Sequence, residues 1–319
     1  MRLAHRISAD ISDADLRYLR QLGLEWARVE FGDADPGVDS VAAVQRRFAE
    51  HGMTIVSAVH HAYRSLDIQL GRPGRDHAIE TYRTFLASLG AIGIGVADYD
   101  FHPGNTYSTG EVRRGRGYLA RRFDLADFRA RVEQVRFGRH YDADEIWAAY
   151  AYFFEAALPA AEAADVVLAL HPDDPPIPMM NGVAKLFTHA DGYRRAEDLA
   201  AGSGHWGLTF CVGTWAEGGA AMGADVFAMI EDYGRRGLIA DVHLRNVTGP
   251  LPAFEETLPD EGYLDLARVV RALHEVGFDG PVVPDHIPRL DGDDGIMRAG
   301  TAHSLAYLRG LIDAVTASG

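Results

Sequence analysis

Short apolar segments rich in β-branched residues alternate along the chain with longer segments whose apolar residues recur at helical spacing. Short runs of this kind predict strands, and apolar positions three and four residues apart predict amphipathic helices. The predicted strands are 3–7, 25–31, 54–61, 96–101, 166–171, 207–212, 240–247 and 281–286. The predicted helices include 40–51, 77–89, 144–164, 224–236, 265–276 and 300–315.

Strands that alternate with helices form βαβ units and a parallel sheet. Eight such units close a (β/α)8 or TIM barrel, and a chain of 319 residues is long enough for one barrel with an insertion. A doubly wound open sheet would have fewer strands and a glycine-rich phosphate-binding turn after the first one, which this chain lacks. We therefore predict a single barrel domain over residues 1–319.

One segment, 103–142, interrupts this regularity after the fourth predicted strand. A connection of this length without regular structure is uncommon, so we expect a lid over the active-site face or an interface arm within a homo-oligomer. Its arginines would bind a carboxylate substrate by paired hydrogen bonds if the segment is a lid. The alternative is that the segment is a solvent-exposed surface loop. The arginines are Arg113, Arg114, Arg116, Arg121 and Arg122.

Four predicted strands carry, at or near their ends, a residue of a type that can bind a metal. These residues are His171, Cys211, His243 and Asp285. The strands of a TIM barrel all end at the same face, so these side chains should converge. Two imidazoles, a thiolate and a carboxylate suit a divalent transition metal, and the sulfur argues against Mg²⁺ and Ca²⁺. Each residue alone is more often structural, so the prediction depends on their placement once per βα unit.

Residues beside these four supply further candidates. Asp173 lies in a proline-rich turn directly after His171, and we expect it to handle protons. Arg245 follows His243 at the strand spacing of two, so both should point to one side. His286 adjoins Asp285, and the pair could serve as proton carrier and metal ligand. We therefore predict His286, Asp285 and Asp173 as catalytic residues.

Composition narrows the class of partner. The chain is 47% hydrophobic and 24% charged, as in ordinary globular proteins, and its formal net charge is −15. That charge disfavours nucleic acid and anionic membranes, which leaves a small molecule as the expected ligand. The single cysteine excludes an internal disulfide, and the first residues do not resemble a signal peptide, so we expect a cytoplasmic protein.

Several motifs together are similar to those of the mannonate dehydratase family, within the xylose isomerase-like TIM barrel superfamily. They occur in the family's order and at similar spacing: 67–68, 99–103, 122–124, 171–176, 209–214, 242–247, 284–286 and 305–310. The resemblance implies that His171, Cys211, His243 and Asp285 correspond to metal ligands, with Mn²⁺ as our first expectation and Fe²⁺, Co²⁺ or Zn²⁺ as alternatives. It also implies that a sugar acid loses water to give a 2-keto-3-deoxy acid.

The matched segments also suggest substrate-binding residues, and they contain departures from the family pattern. The suggested residues are Tyr99, His102, Lys185, Arg245 and Asn246. Lys185 stands where the family has an arginine. Ile296 stands where the family has a tyrosine proposed to act in proton transfer, and Thr301 stands at a family arginine. We therefore expect substrate recognition to differ from that of typical members.

Three functions remain open at this point. The first is a lyase that dehydrates a sugar acid, mannonate or a relative. The second is an isomerase or epimerase of a keto sugar, because the same metal and base would stabilise an enediolate without expelling hydroxide. The third is a metal-bearing barrel that binds a sugar without converting it.

Overall fold

The structure, a computed structural model, describes residues 1–317 and is built around a closed barrel of parallel strands. The eight barrel strands are β1 (Arg2–Ser8), β2 (Trp26–Gly32), β3 (Thr54–His60), β4 (Val96–Tyr99), β7 (Val167–Leu170), β10 (Trp206–Cys211), β11 (Ile239–Leu244) and β14 (Pro281–Pro284). Around the barrel their order is β1-β14-β11-β10-β7-β4-β3-β2. Each predicted strand overlaps one of them, which confirms the predicted (β/α)8 fold.

The principal helices surround the barrel and bury one face each against it. They are α1 (Asp13–Gln21), α2 (Val38–Glu50), α4 (Arg75–Ala91), α6 (Ala143–Ala164), α7 (Ala190–Ala200), α9 (Val226–Arg235), α10 (Leu266–Glu275) and α11 (Arg298–Thr316). Three short helices, α3 (Leu66–Gln69), α5 (Leu125–Asp127) and α8 (Val212–Gly218), lie in the connections. Helix α6 begins at a capping box in which Asp142 and Glu145 bind each other's backbone N–H groups.

Among the principal helices, α1 and α7 are not in the set predicted from helical periodicity. Helix α1 buries only Leu16 and Leu19, and the buried face of α7 consists mainly of alanine and glycine. Both helices are amphipathic, but few large apolar residues mark their buried faces.

The expectation that segment 103–142 lacks regular structure is wrong. It contains the hairpin β5 (Gly110–Arg113) and β6 (Leu119–Asp124), and β6 pairs antiparallel with β13 (Ala253–Thr257). Strand β12 (Asn246–Val247) completes a four-stranded sheet, here named the roof sheet. Its apolar face includes Phe123 stacked on Phe254 at 5.7 Å between ring centroids. A two-stranded sheet of β8 (Met179–Met180) and β9 (Val183–Ala184) lies elsewhere in the connections.

The roof sheet is fixed over the carboxyl ends of the barrel strands. Leu119 on β6 exchanges two backbone hydrogen bonds with Arg289, in the connection after β14, at 2.9 and 2.8 Å. The predicted strand 240–247 divides at Arg245, because the chain leaves the barrel there and enters the roof sheet as β12. The role of segment 103–142 as a lid or an interface arm, and the homo-oligomer, stay predictions.

None of the helices within residues 1–317 combines the length and the apolar character needed to cross a bilayer.

Candidate active site

Three of the predicted ligand residues lie together at the carboxyl end of the barrel. His171 follows β7, Cys211 ends β10 and His243 lies on β11, so they come from adjacent strands. One ligand atom from each, a ring nitrogen or the sulfur, lies within 4.8 Å of the other two. Cys211 and His243 are also paired in register between their strands. Convergence at one end of the barrel is what the strand-end placement predicted.

Asp285 lies beside this cluster, directly after β14. Its Oδ2 atom is 3.9 Å from the Cys211 sulfur and 3.9 Å from Nδ1 of His243. Burial would raise the pKa of Asp285, but the neighbouring His286, His243 and Arg245 hold it well below its usual range. The carboxyl group is therefore an anion beside the two other side chains, as a metal ligand should be.

The free ligand positions of these side chains fit a metal ion. Both ring nitrogens of His243 are buried and, among residues 1–317, have no hydrogen-bond partner. Nδ1 of His171 donates to the carbonyl oxygen of Pro172 at 2.7 Å, which leaves the Nε2 lone pair free. Metal–ligand bonds of about 2.0 to 2.3 Å place ligand atoms roughly 3 to 4.5 Å apart, so the observed cluster needs little contraction.

The Cys211 thiol would need a nearby cation in order to lose its proton, whereas the imidazole of His243 is already neutral. Burial raises the pKa of the Cys211 thiol to about 12. Burial likewise lowers the pKa of His243 well below its usual value, so its imidazole is neutral and able to coordinate. A bound divalent cation would supply the positive charge that a buried thiolate requires.

A cavity of about 260 Å³, here named the inner chamber, adjoins the cluster and is lined almost entirely by polar side chains. His171, His243 and Asp285 lie on one side of it. Arginines from the first three βα units lie on the other side, each with a carboxylate partner. These pairs are Arg6 with Glu30 at 2.6 Å, Arg28 with Asp98 at 2.7 Å and Arg64 with Asp100 at 2.7 Å.

Arg121 on β6 also lines the inner chamber, from the roof sheet. Its side chain is exposed, and no hydrogen bond or ion pair of its guanidinium is found among residues 1–317. The other arginines of its hairpin bind acidic residues instead. Those pairs are Arg113 with Asp291, Arg114 with Glu255, Arg116 with Asp260 and Arg122 with Asp127. Of the five arginines predicted to meet a carboxylate substrate, Arg121 is the one with both the position and a free guanidinium.

His286 is held by a carboxylate that the sequence analysis did not single out. Its Nδ1 atom donates to Oε1 of Glu256, on β13 of the roof sheet, at 2.7 Å. The backbone of His286 has a φ of 45°, in the left-handed region that is uncommon for residues other than glycine. The hydrogen bond leaves Nε2, which lies 3.9 Å from Asp285 Oδ2, as the nitrogen available for proton transfer.

Tyr107, from segment 103–142, lies against His286 in the inner chamber. The two rings are edge to face with centroids 5.9 Å apart, and the tyrosine hydroxyl is 2.9 Å from Nε2 of His102. Burial, and then the carboxylates of Asp100 and Asp174, raise the pKa of Tyr107 above its usual value. The phenol is therefore protonated at neutral pH. His102 also lines the chamber, and burial lowers its pKa to about 4. Its contact with a substrate stays a prediction.

Arg245 does not line the inner chamber, so its predicted substrate-binding role is corrected. The side chain is 2% exposed and donates to Asp285 at 3.1 Å, to Asp174 at 2.6 Å and to Glu217. Its hydrogen-bonding groups are therefore committed to carboxylates of the protein. Arg245 positions the acidic side of the site instead of contacting a ligand.

Asp173 is likewise turned away from the chamber. Its Oδ2 atom accepts a hydrogen bond from the backbone N–H of Phe187 at 2.7 Å, and burial raises its pKa to about 6. Its neighbour Asp174 is the residue of this turn that lines the inner chamber. The proton-carrier role predicted for Asp173 is corrected accordingly.

The predicted substrate contacts of Lys185, Asn246 and Tyr99 stay predictions, and the structure shows partners within the protein for the polar groups of all three. Lys185 donates to the carbonyl oxygen of Pro103 at 2.7 Å. Asn246 binds the backbone of Leu264 and Val247. Tyr99 borders the inner chamber, but its hydroxyl lies 2.9 Å from that of Tyr150 on α6, outside the barrel.

Sequence reasoning also missed several residues of the site. Arg6 and Arg28 occupy facing positions on β1 and β2, and both line the inner chamber. A charged residue in the middle of a predicted strand was the available signal for both. Glu256 and Tyr107 gave no comparable signal, because they reach the site through the roof sheet and its connection.

A family model for D-mannonate dehydratase (UxuA) matches residues 120–318, well over half of the chain. The chain belongs to the D-mannonate dehydratase family. This membership confirms the resemblance found in the sequence and identifies the protein as a member of a family of hydro-lyases. The matched region contains His171, Cys211, His243 and Asp285.

Similar proteins carry the same family name. Mannonate dehydratase from Streptococcus equi subsp. zooepidemicus is 31% identical, with 90% of this chain and 85% of that protein covered. Mannonate dehydratase 2 from Halalkalibacterium halodurans is 26% identical, with 99% and 100% covered. The crystal structure of mannonate dehydratase from Streptococcus suis serotype 2 has a TM-score of 0.87 at 28% identity, covering 100% of this chain and 95% of that one.

More distant structures share the fold alone. D-Psicose 3-epimerase from Clostridium cellulolyticum H10 has a TM-score of 0.63 at 12% identity, covering 98% of this chain and 99% of that one. L-Ribulose 3-epimerase has a TM-score of 0.62 at 17% identity. They share the barrel fold with this member of the D-mannonate dehydratase family.

Proposed function

We propose that this protein is a metal-dependent dehydratase of an aldonic acid, mannonate or a relative, and that its product is the 2-keto-3-deoxy acid. The observation that carries the proposal is the position of His286 in one chamber with the ligand cluster and a set of arginines. Membership of the D-mannonate dehydratase family supports the reaction class.

His171, Cys211, His243 and Asp285 would hold the divalent metal. When bound, such an ion acts as a Lewis acid for substrate oxygens and stabilises negative charge that develops on them. The mixed nitrogen, sulfur and oxygen donors favour Mn²⁺, Fe²⁺, Co²⁺ or Zn²⁺ over Mg²⁺ and Ca²⁺.

The reaction breaks the C2–H and C3–O bonds of the acid and forms an enol, which becomes the ketone when C3 takes up a proton. Nε2 of His286 is placed to remove the C2 proton, because Nδ1 is bound to Glu256. The Tyr107 hydroxyl, in the same chamber, would protonate the departing hydroxide so that it leaves as water.

The charges of the inner chamber suit an anionic substrate. Arg6, Arg28 and Arg64 are paired with carboxylates, whereas the guanidinium of Arg121, at the chamber wall, has no partner in the described part of the chain. A guanidinium can bind a carboxylate through two parallel hydrogen bonds. We therefore assign the substrate carboxylate to Arg121.

Arg121→Gln should raise the KM for the aldonate about 10- to 100-fold, because a hydrogen bond to a charged group is lost. Steady-state kinetics of the metal-loaded protein measure this. Arg113→Gln is the matched control, since Arg113 lies on the same hairpin and pairs with Asp291 outside the chamber. Equal KM values for the Arg121 variant and the unmodified protein would remove the assignment.

The function itself is tested by incubating the protein with a panel of aldonic acids and ketoses, after loading with Mn²⁺, Fe²⁺ or Zn²⁺. Formation of a 2-keto acid supports dehydration. Solvent deuterium incorporation without keto acid would instead indicate an isomerase or epimerase. The absence of both signals would indicate binding alone.

Within the panel, we expect D-mannonate to be a weak substrate, because Ile296 and Thr301 replace a family tyrosine and arginine and substrate recognition should therefore differ from that of typical members. Rapid turnover of D-mannonate would contradict that expectation.

A further inference from the structure

A single buried arginine connects Asp285 to two carboxyl groups from other parts of the barrel. Arg245 lies where the chain passes from β11 to β12, and its side chain is 2% exposed. Nε donates to Oδ2 of Asp285 at 3.1 Å, Nη2 donates to Oδ2 of Asp174 at 2.6 Å, and Nη1 donates to Oε1 of Glu217. These acceptors follow β14, β7 and β10, so one guanidinium links three of the βα units that carry the proposed metal ligands.

The bond from Arg245 ends on the oxygen of Asp285 that lies beside the ligand cluster. This atom, Oδ2, is 3.9 Å from the Cys211 sulfur and 3.9 Å from Nδ1 of His243. It is also 3.9 Å from Nε2 of His286, so these distances alone do not hold it at the cluster. The bond to Nε of Arg245, at 3.1 Å, is the shortest polar contact of this oxygen among residues 1–317, and it fixes the carboxylate.

The path of the Arg245 side chain is fixed by packing as well as by charge. Gly213, on α8, lies directly against it. A β-carbon at Gly213 would lie 2.6 Å from Nε and 2.8 Å from Cζ of Arg245, and closer still to Cγ. The backbone of Gly213 is helical, so its conformation does not require glycine. The missing side chain provides the room that the guanidinium occupies.

The charge of Arg245 is balanced by a second carboxylate, which leaves that of Asp285 for a metal ion. Burial would raise the pKa of Asp174, but Arg245 and then His286 hold it below its usual value. Burial raises the pKa of Glu217 well above its usual value, so that group keeps its proton. Arg245 therefore faces two anions and one neutral carboxyl group. One negative charge is left over in a buried site, and a bound divalent cation would balance it.

We propose that Arg245 is a positioning residue for the metal site. It holds the Asp285 carboxylate beside Cys211 and His243, and the two acidic groups on its other nitrogens fix the guanidinium in turn. The inference rests on the proposed function, because it takes Asp285, Cys211 and His243 as ligands of a divalent metal. Groups that orient metal ligands typically change metal affinity about 10- to 100-fold when they are replaced.

Arg245→Lys should raise the Kd for Mn²⁺ and for Co²⁺ about 10- to 100-fold. Lysine keeps the charge, but its single ammonium cannot reproduce a planar fork that serves three carboxyl groups. Calorimetric titration of the metal-stripped protein with each metal alone measures the Kd, and circular dichroism checks the fold. Arg28→Lys is the matched control, because Arg28 is also buried but pairs with Asp98, at 2.7 Å, instead of a proposed ligand. The control should bind both metals as the unmodified protein does.

Gly213→Ala tests the same role without removing a charged group. The added methyl group must displace the Arg245 side chain, so it should weaken the binding of both metals, by less than Arg245→Lys. Alanine is the better helix former, so the helix itself is not weakened. Gly310→Ala on α11 is the control, since a β-carbon there meets no atom within 4 Å, and it should leave the Kd unchanged. If Arg245→Lys does not fold, the Gly213 variant decides alone.

The absorption of the Co²⁺-loaded proteins separates positioning from a general loss of stability. A thiolate bound to Co²⁺ gives a sulfur-to-metal charge-transfer band, and the visible bands depend on the geometry of all the ligands. At saturating Co²⁺ both variants should keep the sulfur band, because Cys211 is unchanged, and should have altered visible bands because Asp285 has moved. Loss of the sulfur band would place the disturbance at Cys211 and overturn the proposal.

Metal titrations without substrate also separate this proposal from the proposed function. Unchanged metal affinity in both variants, or an equal loss in the Arg28 control, overturns the role of Arg245 even if the unmodified protein forms keto acid. Weaker binding in the variants, with no keto acid from the unmodified protein, supports that role and counts against dehydration. Failure of the unmodified protein to bind Mn²⁺ or Co²⁺ overturns this role and the metal assignment together.

Discussion

Replacing His243 with alanine is expected to abolish stoichiometric metal binding and to lower kcat/KM for the best aldonate roughly 10³-fold or more. Both ring nitrogens of His243 are buried and have no hydrogen-bond partner within residues 1–317. The residue lies on β11, between the strands that carry Cys211 and Asp285. Removing the imidazole leaves an incomplete ligand set. A Lewis acid contributes several kcal/mol to stabilising developing charge, so its loss should dominate the kinetics.

Elemental analysis after gel filtration measures the metal, and circular dichroism checks that the variant is folded. His274→Ala is the control, because His274 is exposed on α10 and should leave both metal and activity unchanged. A second variant, Cys211→Ser, keeps a small side chain but exchanges sulfur for oxygen. It should shift the preference among metals away from Zn²⁺ and towards Mn²⁺. Full occupancy by one metal in the His243 variant would refute the ligand assignment.

The second large effect is expected for Tyr107→Phe, which should lower kcat about 10²- to 10⁴-fold while changing KM little. The substitution removes only the hydroxyl that we assign to protonation of the leaving group. Its ring, which packs edge to face with His102 and His286, is retained. The measurement is steady-state kinetics over a range of pH with the best aldonate of the panel.

Tyr99→Phe provides a matched control for this prediction. The Tyr99 hydroxyl contacts Tyr150 in the layer between barrel and helices, so its removal should affect stability more than kcat. A Tyr107 variant with an unchanged kcat and an unchanged pH profile would show that another group protonates the departing hydroxide. His102, 2.9 Å from the Tyr107 hydroxyl, would then be the next residue to replace.

The barrel and the ligand cluster could be predicted because both depend on regular spacing. An apolar run followed by an amphipathic helix recurs along the chain, and a parallel barrel brings every strand end to one face. The positions of His171, Cys211 and His243 therefore followed from the pattern without knowledge of side-chain directions. Their role as metal ligands stays a prediction until metal is measured.

Residues whose role depends on side-chain direction could not be predicted in the same way. Asp173 and Asp174 are adjacent in the sequence, yet one binds the backbone of Phe187 and the other lines the inner chamber. Arg245 has the strand spacing of a site residue, but buried carboxylates occupy its guanidinium. A sequence pattern fixes which face a residue occupies, whereas hydrogen bonds from distant segments fix what remains available to a ligand.

The roof sheet escaped prediction because it joins segments that are far apart in the chain. Strand β6 pairs with β13, and neither strand carries a long apolar run. Arg121, Glu256 and the approach of Tyr107 all depend on this arrangement. Local periodicity contains no information about such a pairing, since its stability comes from contacts such as Phe123 with Phe254.

The barrel separates the proposed metal ligands from the paired arginines by strand. His171, Cys211, His243 and Asp285 lie on or directly after β7, β10, β11 and β14, which are contiguous around the barrel, whereas Arg6, Arg28 and Arg64 come from β1, β2 and the connection after β3. Substitutions at these three arginines would therefore reshape the opposite wall of the inner chamber without altering the strands that carry the proposed ligands.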